Sequence, residues 1–133
     1  MKHAPLAQIT RPQELPALAN HAEEALPAAY GPRLVHMSAA LVPGADVFIT
    51  SRSLTRLDAP AEPNVHPHRH SVSQTYLLLS ADESLVVEVE IGGHKAVVTA
   101  PASIFVPAGE LHTIRVLHGS GNLLSVVRSG TYE

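Results

Sequence analysis

The chain has 133 residues, the size of one domain, with 45% apolar and 16% charged residues, the balance of a globular protein. A net charge of −3, with two Phe, three Tyr and no Trp, offers neither a positive field nor a stacking platform for nucleic acid. With no Cys there can be no disulfide, thiolate metal site or Cys nucleophile, and a reducing compartment fits. The most apolar stretch, 96–106, contains Pro101 and is too short to span a bilayer. Residues 1–5 have no apolar leader core. The expectation is a soluble, cytoplasmic protein that binds no nucleic acid and no membrane.

Residues 1–33 read as a partly helical N-terminal extension. Thr10 to Gln13 and Asn20 to Glu23 look like capping boxes, Pro16 and Pro27 keep helices short, and Gly31-Pro32 breaks the pattern. One or two short helices are expected over 12–26. Residues 34–133 read as strands. The stretches 34–41 and 47–57 are rich in β-branched and apolar residues and are separated by the turn signal Pro43-Gly44-Ala45-Asp46. A Pro-containing loop covers 58–64, and 75–79 is a short apolar run. In 85–91, Val87, Val89 and Ile91 share one face while Glu88 and Glu90 share the other. Gly92-Gly93 closes a hairpin into 96–99, and strands follow at 103–106, 112–117 and 123–128, with turns at 107–109 and 119–121. Short strands with no interleaved helix indicate an all-β sandwich or barrel.

Nine residues are His, the side chain that binds metal or moves protons near neutral pH. His66, His68 and His70 alternate with Pro67 and Arg69, so on an extended chain each neighbouring pair presents two imidazoles to one side. His112 opens a later strand, and its face partners Ile114 and Val116 are apolar, so it is directed inward. Two same-face histidines and a third directed at them are the start of a metal site. Either His66/His68 or His68/His70 can supply the pair. His94 and His118 fall beside glycine turns and read as solvated; His3, His21 and His36 carry no pattern.

His68-Arg69-His70 followed by Gln74 and Tyr76 resembles the first cupin motif, HxH(x)3–4E, and Pro107-Ala108-Gly109-Glu110-Leu111-His112 resembles the core of the second, PxG(x)2H. The resemblance covers about residues 45–128. The motif Glu is replaced by Gln74, and motif glycines fall at Glu62, Ala81 and Pro101, with the closing Asn at Val116. The resemblance implies a cupin-type double-stranded β-helix barrel. It implies a divalent ion (Fe, Mn, Ni or Zn) held by His68, His70 and His112, with Gln74 in the carboxylate's place. A neutral amide leaves the full charge of the ion uncompensated, which favours an anionic substrate. Tyr76 shares the strand parity of Gln74 and can face the cavity or simply fill the barrel. Arg52, in the strand preceding the motif, can pair a substrate carboxylate or sit at the surface.

Three functions follow. The first is a metal-dependent enzyme acting on a small organic anion, leaning to dioxygenase chemistry at a three-His centre. The second is a metal-free or Zn/Ni isomerase, dehydratase or cyclase using His as acid and base. The third is a non-catalytic cupin that binds a small molecule. A homodimer is the expected assembly, because barrel edges want covering.

Overall fold

A computed structural model describes residues 8–15, 30–58 and 66–132. The strands are β1 (Gln13–Glu14), β2 (Tyr30–Met37), β3 (Phe48–Leu57), β4 (Gln74–Leu79), β5 (Val86–Ile91), β6 (His94–Thr99), β7 (Ala102–Val106) and β8 (His112–Val127). Every pairing between them is antiparallel, in the order β1-β2-β3-β8-β4-β7, with β5 joining β8 to β6. The fold is all-β, as the strand pattern of the sequence predicts. Among the described residues, no helix is long and apolar enough to cross a membrane.

Strand β8 belongs to both walls. Residues 112–118 pair with β5, and residues 119–127 pair with β3 and β4. The expected turn at 119–121 is therefore a corner within one 16-residue strand. Both glycines bring backbones too close for a side chain. A Cβ on Gly119 would strike the Ser84 carbonyl, and one on Gly121 the Leu79 carbonyl. Both also have positive φ, at 105° and 154°. The sequence signal marked a real change of direction, but the ladder continues through it.

Alternation along the strands sorts the interior. Leu78, Leu85 and Val87 are fully buried and pack with Val89, Ile104, Val106, Ile114 and Val116 in one cluster spanning both walls. Each such side chain contributes roughly 1.5–3 kcal/mol by leaving water.

The N-terminal helices are not found where the structure is described. Gln13 and Glu14 form a strand against Val35 and Leu34, because β2 leaves an edge that an extended segment can complete. The remainder of the helical expectation, 16–26, lies outside the described residues, as does most of the loop at 58–64. Gly31-Pro32 sits inside β2, which begins at Tyr30, ahead of the expected start at Leu34. An irregularity between Tyr30 and Arg33 accommodates the pair. His118 lies in β8 rather than a turn, though it is exposed.

Candidate metal centre

The backbone brings the two histidine segments together. His68 N donates to His112 O at 3.1 Å, and His112 N donates to His68 O at 2.8 Å. Residues 68 and 112 are thus a directly opposed, hydrogen-bonded antiparallel pair whose side chains leave the same face. His70, two residues on, shares that face, and its carbonyl accepts from Gly109 N at 2.8 Å. The Pro107–Glu110 turn makes this possible. Glu110 N bonds back to Pro107 O at 3.3 Å, and Gly109 takes φ +82° at the third turn position, where a type II turn requires positive φ.

The result is a cluster of three buried imidazoles, His68, His70 and His112, whose ligand nitrogens all lie within 4.8 Å of one another. Imidazole nitrogens on one ion at about 2.1 Å stand roughly 3–3.5 Å apart, so ~1 Å of closure forms a site. The rings are already oriented. Nδ1 of His68 donates to the His66 carbonyl at 2.7 Å, and Nδ1 of His112 donates to the Glu110 carbonyl at 3.0 Å. A carbonyl only accepts, so each proton is fixed on Nδ1 and each Nε2 keeps a lone pair. His66 is outside the cluster: its side chain is exposed, and its contribution is that carbonyl.

Nε2 of His112 and Oε1 of Gln74 are buried and make no hydrogen bond. His112 is only 1% exposed and Gln74 3%. Orphaned acceptors cost about 1–3 kcal/mol each in a dry interior, and a bound cation removes that cost. Gln74 is held by its other end, Nε2 donating to Ser125 Oγ at 2.6 Å, which leaves the amide oxygen as a donor atom. Three imidazole nitrogens and a fixed amide oxygen fit a divalent ion. Burial holds the His112 imidazole below its ordinary pKa, an effect partly offset by the Glu110 carbonyl, so it stays neutral as a ligand must be.

A cavity of about 60 Å³, room for a few waters, is lined on one side by Gln74, Tyr76, Ser125 and Tyr132. The three histidines are not in its lining and meet it through Tyr132, which bonds His68, and Tyr76, which faces His112. Arg33 and Arg52 line it on the β2/β3 side, and Ile114, Val116 and Leu123 form apolar wall. Arg52 is not at the surface. It is buried, Nη1 donates to the Gly31 carbonyl at 2.9 Å, and its guanidinium lies 5.7 Å from the Tyr30 ring centre. Arg33 stands directly opposite it across the β2–β3 ladder. Like charges so placed repel, and an anion between them relieves the repulsion. Tyr76 faces inward, its ring centre 6.3 Å from that of His112, and burial raises its pKa far above the usual phenol value.

Sequence reasoning missed three of these residues. Arg33 fell beside the Gly31-Pro32 pair, read as a break, although its parity with Arg52 was available once β2 was extended. Ser125 carried no motif. Tyr132 comes to the cluster only through contacts distant in sequence: its hydroxyl donates to His68 Nε2 at 3.0 Å.

A cupin fold carrying a three-His cluster able to hold a divalent metal is what these observations define. Comparison with solved structures agrees on the fold. A cupin-2 domain from Rhodospirillum rubrum superposes with a TM-score of 0.60 at 14% identity, covering 100% of this chain and 76% of that one. KdgF from Halomonas sp. gives 0.55 at 15% identity, covering 81% and 84%. Oxalate decarboxylase from Bacillus subtilis, described with Mn(II) centres, gives 0.54 at 17% identity; the match covers 77% of this chain and 26% of that longer protein. At the level of sequence, no family model matches the chain and no curated protein matches it.

Proposed function

We propose that this protein is a metal-dependent enzyme acting on a small organic anion, with a divalent ion on His68, His70 and His112 and Gln74 Oε1 as a further donor. The observation that carries the reading is the juxtaposition of the buried imidazole cluster with a cavity whose described lining includes two arginines and no acidic residue. When bound, the ion supplies Lewis acidity and, if it is Fe or Mn, redox chemistry. Arg33 and Arg52 hold a carboxylate of the substrate, the guanidinium fork fixing its plane. Ile114, Val116 and Leu123 keep water from the reacting end. Tyr76 remains a neutral phenol, so its part is to donate a hydrogen bond to developing negative charge rather than to act as a base.

Oxygen chemistry at a three-His centre is the first reaction to test, and the Mn(II) centres of the structurally similar decarboxylase make Mn a first metal to try. A second reading, isomerase or lyase chemistry without oxygen, draws support from Tyr76 as an oxyanion donor. Elemental analysis of untagged protein decides first. About one Fe or Mn per chain, with oxygen uptake on a panel of small carboxylates, supports the oxygenase. Zn or Ni with turnover in the absence of oxygen supports the second reading. Binding without turnover leaves a small-molecule-binding cupin. No metal retained after reconstitution removes the metal-dependent reading. The proposed assembly is a cytoplasmic homodimer, since β6 and β7 each pair on one edge only among the described residues; sedimentation tests the stoichiometry.

A further inference from the structure

The residues after β8 are built back into the barrel. Arg128 N donates to Ser73 O at 3.1 Å, and Ala39 N donates to Gly130 O at 2.8 Å. Gly130 lies so close to the turn after β2 that a Cβ there would strike the Ala45 carbonyl and come within 2.7 Å of the Ala39 Cβ. These contacts carry Tyr132 over the histidines. Its ring centre is 4.8 Å from that of His70, edge to face, and 5.8 Å from that of Phe48. Its hydroxyl is 3.0 Å from Nε2 of His68.

That nitrogen has one lone pair. Because Nδ1 of His68 carries the proton given to the His66 carbonyl, Nε2 is the atom an ion would take, and the Tyr132 hydroxyl already uses it. The two cannot share it. Tyr132 also forms part of the cavity wall, in a cavity with room for only a few waters.

We propose that residues 128–132 form a latch on the metal site: the Tyr132 hydroxyl competes with the ion for His68 Nε2 and is displaced when the ion binds. The proposal rests on reading the cluster as a metal site. Displacement of the ring widens the cavity on the side of the imidazoles, so metal loading and admission of substrate become one event. The latch acts through a hydrogen bond and a docked strap, with no covalent step.

The test is a Co(II) titration followed by visible absorption and calorimetry, on the wild type, Tyr132→Phe, Gly130→Ala and His112→Ala. Tyr132→Phe keeps the ring and removes only the competing hydroxyl. It is expected to bind Co(II) about three- to tenfold more tightly than the wild type, the worth of one hydrogen bond. Gly130→Ala, which undocks the strap with the hydroxyl present, is expected to shift affinity in the same direction, and His112→Ala to lose binding. Equal affinity of Tyr132→Phe and wild type would overturn the latch while leaving the metal site standing. Weaker binding by Tyr132→Phe would overturn it too, making the hydroxyl a supporter of the ion. If neither protein binds Co(II), the metal reading of the cluster falls and the latch falls with it.

Discussion

Two parts of the barrel interior obey opposite rules. Around Leu78, Leu85 and Val87 the interior is apolar, fully buried and complete within itself. Around His68, His70, Gln74 and His112 it is also buried, yet polar, and Nε2 of His112 and Oε1 of Gln74 make no hydrogen bond. Strand β4 passes from one to the other, its inward residues running Gln74, Tyr76, Leu78. The first region stabilises the protein, and the second is stabilised by it. A barrel with a sufficient apolar core can hold an imidazole cluster that is unfavourable on its own.

The sharpest way to break this contrast is to exchange the consequences of mutation. Leu78→Ala removes a fully buried side chain and is expected to destabilise the fold by about 2–5 kcal/mol in denaturant titration, with Co(II) affinity of the folded protein nearly unchanged. His112→Ala is expected to shift the weight to binding, weakening metal affinity by about a hundredfold or more while the metal-free protein loses less stability than with Leu78→Ala. If His112→Ala unfolds the protein as readily as Leu78→Ala, the cluster is part of the core and the distinction fails.

Smaller effects sharpen the polar side. Gln74→Glu places a carboxylate among neutral imidazoles. The metal-free protein should melt lower, and divalent-ion affinity should rise by of the order of tenfold, so that metal raises the melting temperature more than in the wild type. Arg52→Lys keeps the charge but loses the planar fork, and binding of a small carboxylate to the metal-loaded protein should weaken by about tenfold in calorimetry.

The smallest effect lies on the surface. Hydrogen bonds from Ser84 and Ser80 hold the Asp82 carboxyl below the ordinary carboxylate range. A depressed folded pKa gives stability that is present above the unfolded value and is lost as pH falls through the folded one. The difference in melting temperature between wild type and Asp82→Asn should therefore be slight at neutral pH and shrink below about pH 4, the region of the unfolded carboxylate.

Much of this was legible in the sequence, for a physical reason. Period-2 alternation in 85–91 and the paired glycines after it depend only on neighbours along the chain. Strand β5 lies where the alternation puts it, and β6 follows the glycines but begins at His94, two residues ahead of the expected start at 96. HxH spacing and the PxG turn are local as well, which is why the three imidazoles could be singled out. The failures are all long-range. Gln13 and Glu14 are extended because β2 offers an edge, although the local signal was helical. Gly119 and Gly121 continue a strand because the Ser84 and Leu79 backbones press on them. Arg33 and Tyr132 reach the site through a cross-strand register and a docked strap, neither of which is written in a motif.

The paired backbone hydrogen bonds between residues 68 and 112 have one more consequence. They involve no side-chain atom, so the spacing of the two donor positions is a property of the frame rather than of histidine. Asp, Glu or Cys introduced at 68, 70 or 112 would inherit the same placement, and with it a different preference among metals. The centre is in this sense a socket. Its contents can be exchanged one residue at a time, by selection or by design, while the barrel that carries it stays as it is.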